Sequence, residues 1–166
     1  MDHSGLIIRR IGLKETEQVK EKFLQVFTDE PWLDDWSDEQ QLDMYLQDLM
    51  GQSYSVAFGL YDGDELIGAS LGYIKHWYSG TEYIIDELFI VQERQGQGIG
   101  TYFVSEIGKA IKEMEVYTVF LLTERGVPAY EFYKKNGFNE IPETTAFWKK
   151  FDLKKAGISW QTEGHI

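Results

Sequence analysis

Three glycines at alternate positions, Gly96, Gly98 and Gly100, lie in the stretch RQGQGIG, between an apolar run and a helical pattern. Glycine is costly in regular structure, so this spacing indicates a tight turn or a ligand that approaches the main chain closely. Where a strand leads into a helix, the first helical N–H groups lack partners and the positive end of the helix dipole points outward. The junction is therefore suited to bind an anion as bulky as a diphosphate. An ordinary turn into a helix would need only one glycine.

Two familiar phosphate motifs do not fit this junction. A dinucleotide fingerprint requires its third glycine at the position of Thr101, and it normally lies in the first βα unit of a parallel sheet. A Walker loop requires Gly-Lys-Ser/Thr, which the chain lacks. The anion is thus neither a dinucleotide bound in the usual way nor a nucleoside triphosphate held by a Walker loop.

The composition narrows the range of partners. The chain has 166 residues, 43% of them hydrophobic, and no repeat or linker, so we expect a single domain over residues 1–166. It has no cysteine, and His3, His76 and His165 are far apart, so we expect no metal site. Without a signal-like or membrane-length apolar segment, a cytoplasmic location is expected.

The net charge of −12 bears on the ligands. It argues against nucleic acid and favours a cationic small molecule or basic peptide, which the field of the protein would attract. Acidity that merely keeps the protein soluble is an equally good explanation on its own.

The hydropathy pattern predicts a mixed α/β or α+β domain around one sheet. A strand at residues 6–11 precedes two amphipathic helices, the second capped by Ser37 with Gln40 in capping-box spacing. Two strands joined by a turn at residues 62–64 come next, then the apolar strand YIIDELFIV, the glycines and a helix from Ile99 to Met114. The buried strand VYTVFLL, a short helix from Pro128 to Gly137 and one or two strands near TAFWKKFDL complete the order.

The glycine stretch and a second segment resemble the GNAT superfamily of N-acyltransferases. Gln95, Gly98 and Gly100 match that family's Gln/Arg-x-x-Gly-x-Gly/Ala signature, and PAYEFYKKNGF resembles its second landmark, an alanine followed by Phe-Tyr and Gly-Phe. The element order agrees from residue 6 to about residue 153, which leaves 154–166 as a tail. Many members have an asparagine where this chain has Gly126. The resemblance implies one GNAT domain with a mixed, mostly antiparallel sheet of six to seven strands, about four helices, and splayed fourth and fifth strands.

The resemblance further implies transfer of an acetyl group from acetyl-CoA to a primary amine, by direct attack in a ternary complex. The pantetheine arm would pair with the exposed edge of the fourth strand, and loop amides would hold the diphosphate. A main-chain N–H near Phe89 would polarise the thioester carbonyl. The implied coenzyme contacts are Leu88, Phe89, Ile90, Gln95, Gly96, Gln97, Gly98, Ile99, Gly100, Thr101 and Tyr130.

Tyr133 matches the tyrosine that protonates the departing thiolate in many relatives, a role suited to a phenol with a pKa of about 10. Without the family match, a core tyrosine would be the better explanation. For the base, Asp86 and Glu87 interrupt an apolar strand, and alternation predicts that they lie on opposite faces. Glu87 is our candidate base, while Asp86 is equally well explained as a structural carboxylate.

In this family the acceptor usually lies between the first two helices and the third and fourth strands. Asp34 and Asp35, flanked by Trp32 and Trp36, would form a cation-binding wall there. The alternative is that the tryptophans pack on the sheet while the acids stay solvated. His76 and Tyr78 are weaker candidates for the acceptor side. The expected acceptor is a polyamine, an aminoglycoside, an amino-acid derivative or a basic peptide end.

Two further questions remain open from the sequence. A domain that binds acyl-CoA as a sensor or assembly module, without catalysis, is the alternative to an enzyme, although Tyr133 favours the enzyme. Relatives are often homodimers, and the tail residues Ile158, Trp160 and Ile166 suit either an interface or an ordinary packed terminus.

Overall fold

The computed structural model describes residues 3–151, and it divides the chain into two compact units, Met1–Leu122 and Thr123–Ile166. The first unit holds one five-stranded sheet in the order β1-β2-β3-β4-β5. All neighbouring strands are antiparallel except β4 and β5, which are parallel. The elements of this unit are β1 Leu6–Ile11, α1 Thr16–Phe27, α2 Glu39–Met50, β2 Ser55–Asp62, β3 Glu65–Trp77, β4 Gly80–Ile90, α3 Ile99–Glu113 and β5 Thr118–Leu121.

Each face of the sheet packs against helices through a separate apolar cluster. On one face, α1 and α2 bury residues such as Phe23 and Leu46 against Leu71 and Phe89 of the sheet. On the other face, α3 buries Phe103 and Ile107 with sheet residues that include Ile67. These helical residues follow the spacing of an amphipathic helix, which explains why the sequence folds into helices that each cover one face of a shared sheet.

The fourth strand changes its pairing at Asp86. In β3, Leu71 lies opposite Glu87 but the next residue, Gly72, lies opposite Ile85, so Asp86 is the extra residue of a β-bulge. A Cβ built on Gly72 would lie 1.9 Å from the main-chain oxygen of Ile84, so only glycine fits opposite this bulge. The parallel pairing of β4 with β5 also stops here, at Ile85 and Leu121.

The second unit contains α4, Pro128–Lys135, with proline in its first turn and Gly137 in the left-handed region just after its end. Both features match the prediction. Within residues 3–151 there are five strands, so the predicted count of six to seven is wrong. Residues 145–151 of the predicted last strands form no regular structure, although the α/β class with four helices is confirmed.

Two smaller differences concern the helices and the termini. Asp38, not Ser37, caps α2, because its side chain accepts a hydrogen bond from the Gln41 N–H at 3.0 Å. The predicted role of the tail falls on residues outside the described range. No helix within that range is long and apolar enough to cross a bilayer.

Candidate active site

The glycine junction has the open main chain that a bulky anion requires. Gly96 and Gly98 have φ values of 71° and 77°, and Gly98 is the residue that precedes α3. A Cβ on Gly96 would meet no described atom within 4 Å, and one on Gly98 would meet only the His3 ring, at 3.7 Å. The first N–H groups of α3 therefore lie beside a main chain that carries no side chain at these two positions.

Side chains of the same loop fix it to its surroundings. The Gln95 side-chain amide donates to the Ile90 carbonyl at 2.8 Å, and the Gln97 amide donates to the Glu93 carbonyl at 2.9 Å. Arg94 forms an ion pair with Asp62 at the end of β2. The side chains of both glutamines thus bind main-chain oxygens. The N–H groups of Arg94 and Gln95 also donate to main-chain carbonyls, so the donors suited to an anion are the N–H groups that follow Gln95.

Beyond the bulge, one edge of β4 has no paired strand within residues 3–151. The Val91 N–H donates to the Ile67 carbonyl of β3 at 2.9 Å. Because main-chain groups alternate between the two edges of a strand, Phe89 also faces β3, and Leu88 and Ile90 face the side of β5. Since pairing with β5 ends at Ile85, Leu88 has no strand partner on that side among the described residues. β4 thus continues from Ile85 to Ile90 without a described strand on the side of β5, toward the loop that contains Gly96 and Gly98 (the glycine loop).

Glu87 lies on the side of the sheet covered by α2, where it accepts a hydrogen bond from the Tyr45 hydroxyl at 2.5 Å. Burial raises the pKa of Glu87 to about 7, and the nearby Asp34 and Asp86 charges act in the same direction, while the Tyr45 bond opposes them. Burial likewise raises the pKa of Tyr45, together with the charge of Glu87, so its hydroxyl stays protonated. A carboxyl group that ionises near neutral pH is suited to accept a proton.

The bulge also turns Asp86 toward α2, so that Asp86 and Glu87 both lie on this side and alternation does not separate them. Asp86 lines an open pocket of about 500 Å³ between α2 and strands β3 and β4. Desolvation of the carboxyl group raises the pKa of Asp86. The other residues of this pocket, which we call the bulge pocket, are Asp48, Leu49, Tyr54, Tyr73, Ile74 and Lys75.

The four residues predicted to form a cation-binding wall have different surroundings in the structure. The rings of Trp32 and Trp36 pack against the cluster under α1 and α2, with Trp36 stacked on Tyr45 at 5.1 Å between ring centroids. This packing favours the structural explanation for the tryptophans. The Asp35 carboxylate accepts the Ser37 N–H at 3.1 Å, as in a turn. Asp34 lies close enough to Glu87 to affect its pKa.

His76 and Tyr78 lie at the tip of the β3–β4 hairpin, at the opposite end of β4 from the glycine loop. His76 contacts the Thr81 hydroxyl at 3.2 Å, and Tyr78 is 90% exposed. An acceptor role for these two residues stays a prediction.

In the second unit, Tyr133 packs edge-to-face against Phe132 and Phe138, each at 5.3 Å between ring centroids. The Tyr130 hydroxyl donates to Glu140 at 3.0 Å, and Arg125 pairs with the same carboxylate. The roles of Tyr130 and Tyr133 toward the coenzyme therefore rest on the sequence motif alone.

Four residues of the site were not identified from the sequence. Tyr45 fits the apolar face of α2, and Asp48 follows it by three residues on the same helix. Tyr54 and Tyr73, whose rings meet edge-to-face at 5.7 Å, carry no local signal. Asp86 reaches the pocket with these residues because of the bulge, and the sequence pattern does not predict the bulge. The described residues contain no group of three or more His, Asp or Glu side chains placed to hold a metal ion.

The comparison with known families assigns this fold. The sequence model of the acetyltransferase (GNAT) family matches residues 17–138, so the chain belongs to this family. The matched range includes β4, the glycine loop and the Tyr133 motif. No curated protein sequence matches the chain significantly.

Solved structures confirm the fold at low sequence identity. An aminoglycoside acetyltransferase from an uncultured soil metagenomic sample, in complex with sisomicin, is 19% identical with a TM-score of 0.69, over 90% of this chain and 98% of that one. AAC(6')-Iy, in complex with a bisubstrate analogue of CoA and acetylneamine, is 14% identical with a TM-score of 0.68, over 89% and 99%. A ribosomal-protein-alanine N-acetyltransferase from Brucella melitensis is 16% identical with a TM-score of 0.66, over 88% and 99%.

Proposed function

We propose that this protein is an N-acetyltransferase that transfers the acetyl group of acetyl-CoA to a primary amine of a cationic molecule, by direct attack in a ternary complex. The observation that supports the proposal is the end of the β4–β5 pairing at Ile85, in the strand that leads to a loop of open main-chain amides. A ligand that offers both peptide-like amides and a diphosphate matches the two features in their order along the chain.

The residues that would hold the coenzyme follow from this order. Leu88 and Ile90 present main-chain groups to the open edge, although the Ile90 carbonyl is already bound by Gln95. The Leu88 N–H is therefore our candidate to polarise the thioester carbonyl, one residue from the predicted position at Phe89. The main-chain amides from Gly96 to Thr101 would hold the diphosphate, because the Gln95 N–H already donates to the Gln92 carbonyl at 3.1 Å. Tyr130 is proposed as a coenzyme contact from the motif.

Acetyl-CoA supplies an activated acyl group, and the chain supplies the proton transfers. As the C–N bond to the acceptor forms and the C–S bond breaks, the ammonium-like nitrogen must lose a proton and the thiolate must gain one. Glu87 is proposed to accept the first proton, because its carboxyl group ionises near neutral pH. Tyr133 is proposed to donate the second, by its match to the family motif, and is reprotonated from solvent.

The bulge pocket is our candidate for the acceptor. Its two carboxylates, Asp48 and Asp86, come from different elements, and Tyr54 and Tyr73 present aromatic surface beside them. Carboxylates and aromatic faces both attract organic cations. The one cation of the pocket, Lys75, has its ammonium group 4.0 Å from the Trp77 ring centroid. Polyamines, aminoglycosides, amino-acid derivatives and basic peptide ends share the required charge.

The test is acetyl-CoA-dependent release of CoA over a panel of amines that includes these four classes and neutral amines. We expect turnover with at least one cationic amine and weaker turnover with neutral ones. Tyr133→Phe, which removes only a hydroxyl, should keep its affinity for acetyl-CoA by calorimetry and lose most of its turnover. Binding of acetyl-CoA with no CoA release from any amine would support the sensor alternative. Absence of binding would contradict both.

A further inference from the structure

Tyr45 joins the candidate base to the packed core under α1 and α2. Its hydroxyl donates to Glu87 at 2.5 Å, and its ring stacks on Trp36 and meets the edge of Phe23, with centroids 5.1 Å and 6.1 Å away. A ring held on two sides by other aromatic rings has little freedom to rotate, so the hydroxyl is presented to Glu87 from a fixed direction.

The titratable groups that face Glu87 come from three parts of the chain. Asp34 lies in the loop before α2, Asp86 is the bulge residue of β4 itself, and Tyr45 belongs to α2. The two aspartates and burial all oppose a negative charge on Glu87, while the hydrogen bond from Tyr45 favours it. Of these groups, Tyr45 is the one that supports the carboxylate form, which is the form able to accept a proton.

We infer that Tyr45 is a positioning residue for acetyl transfer, whose hydroxyl binds one oxygen of Glu87 and thereby holds the carboxylate ready to deprotonate the acceptor amine. This inference rests on the proposed function, and it adds a residue of α2 to the catalytic arrangement on β4. Tyr45 itself exchanges no proton, because burial and the charge of Glu87 keep its hydroxyl protonated.

The test is the pH profile of kcat in the Tyr45→Phe variant. In the unsubstituted enzyme, kcat should rise through a midpoint near pH 7 as Glu87 loses its proton. Without the hydrogen bond, burial and the two aspartates act unopposed, so the midpoint should move up by about one pH unit. The activity of the variant should therefore be roughly tenfold lower at pH 6 and should recover substantially above pH 9. A loss of equal size at every pH would overturn the inference.

Two variants serve as controls. Tyr61→Phe also removes a hydroxyl from the cluster under α1 and α2, but that hydroxyl makes no hydrogen bond within the described residues, so the midpoint should stay in place. Glu87→Gln should abolish the acidic limb, and Tyr45→Phe should then change the profile no further. A midpoint that moves equally in Tyr61→Phe and Tyr45→Phe would contradict a specific role for Tyr45.

A second measurement needs no turnover and no variant of Tyr45. The ¹³Cζ resonance of Tyr45 should shift with a midpoint near pH 7 as Glu87 ionises, and Glu87→Gln should remove this shift. A resonance that stays constant from pH 5 to 9 would overturn the inference even if Tyr45→Phe failed to fold. An enzyme that is active but shows neither effect refutes the role of Tyr45 alone, whereas a protein without acetyl-CoA affinity refutes the proposed function.

Discussion

At the scale of single residues, the neighbours Asp86 and Glu87 have different surroundings and hence different roles. Glu87 is bonded to Tyr45 beside the core, whereas Asp86 borders a pocket that opens to solvent. Two adjacent carboxylates thus have different proposed roles, Glu87 as the base and Asp86 as a contact for the cationic acceptor. The bulge places both side chains on the α2 side of the sheet, where Asp86 is exposed to solvent and Glu87 is partly buried.

The proposed cation contacts make a prediction for acceptor affinity. Asp86→Asn and Asp48→Asn should each raise the KM of the best cationic amine by about two- to fivefold, since each removes one partly solvated ion pair. kcat measured above pH 9 should change little, because neither carboxylate is proposed to transfer a proton and Glu87 is ionised there. At lower pH the midpoint of kcat should move down in Asp86→Asn, because the Asp86 charge raises the pKa of Glu87. Steady-state kinetics with saturating acetyl-CoA measure both effects.

The matched control is Glu113→Gln, which removes one negative charge from the exposed end of α3, a helix on the other face of the sheet. It should leave the KM of the amine almost unchanged. An equal effect of Glu113→Gln and Asp86→Asn would assign the change to overall charge and remove the bulge pocket from acceptor binding.

At the scale of elements, the bulge in β4 depends on Gly72 in β3. A side chain at Gly72 would press on the main-chain oxygen of Ile84, which cannot move without disturbing the pairing of β4. We expect Gly72→Ala to lower the free energy of unfolding by about 1–3 kcal/mol and to weaken acetyl-CoA binding with it. Chemical denaturation and calorimetry provide the two measurements.

Gly108 in α3 offers the opposite case, because a Cβ there would meet no described atom within 4 Å. Gly108→Ala should stabilise the protein by roughly 0.5–1 kcal/mol, as alanine is favoured over glycine inside a helix. A Gly72→Ala variant as stable as Gly108→Ala would show that the strand pairing tolerates a side chain opposite the bulge.

The elements also show what the sequence could predict. Apolar periodicity located β1, the β2–β3 turn and α3 closely, because these segments carry one strong pattern each. It did not predict the bulge, because the residue types of YIIDELFIV do not mark any one residue as extra in the pairing with β3. The glycine loop was predictable from residue types, whereas the pairing of Tyr45 with Glu87 depends on how a helix crosses a sheet. Residues 145–151, the described part of the last predicted strands, form no regular structure, although their aromatic residues fit a strand pattern.

At the scale of the whole molecule, the net charge of −12 affects the two proposed substrates in opposite ways. An acidic protein attracts a cationic amine over long range and repels the anionic coenzyme. The coenzyme must therefore be held by short-range bonds from main-chain amides, which suits the open loop around Gly98. In the proposed reaction, the long-range field of the protein thus favours binding of the amine, whereas the dipole of α3 favours binding of the coenzyme diphosphate.

This opposition predicts how salt affects the kinetics. Raising the ionic strength from about 0.01 M to 0.15 M shortens the screening length from roughly 30 Å to 8 Å. The KM of a cationic amine should then rise by about three- to tenfold, while the KM of acetyl-CoA should stay constant or fall, because only the amine loses an attraction. A neutral amine provides the control and should show no rise. A KM for the best amine that is independent of salt would contradict a cationic acceptor, even if acetyl transfer itself were observed.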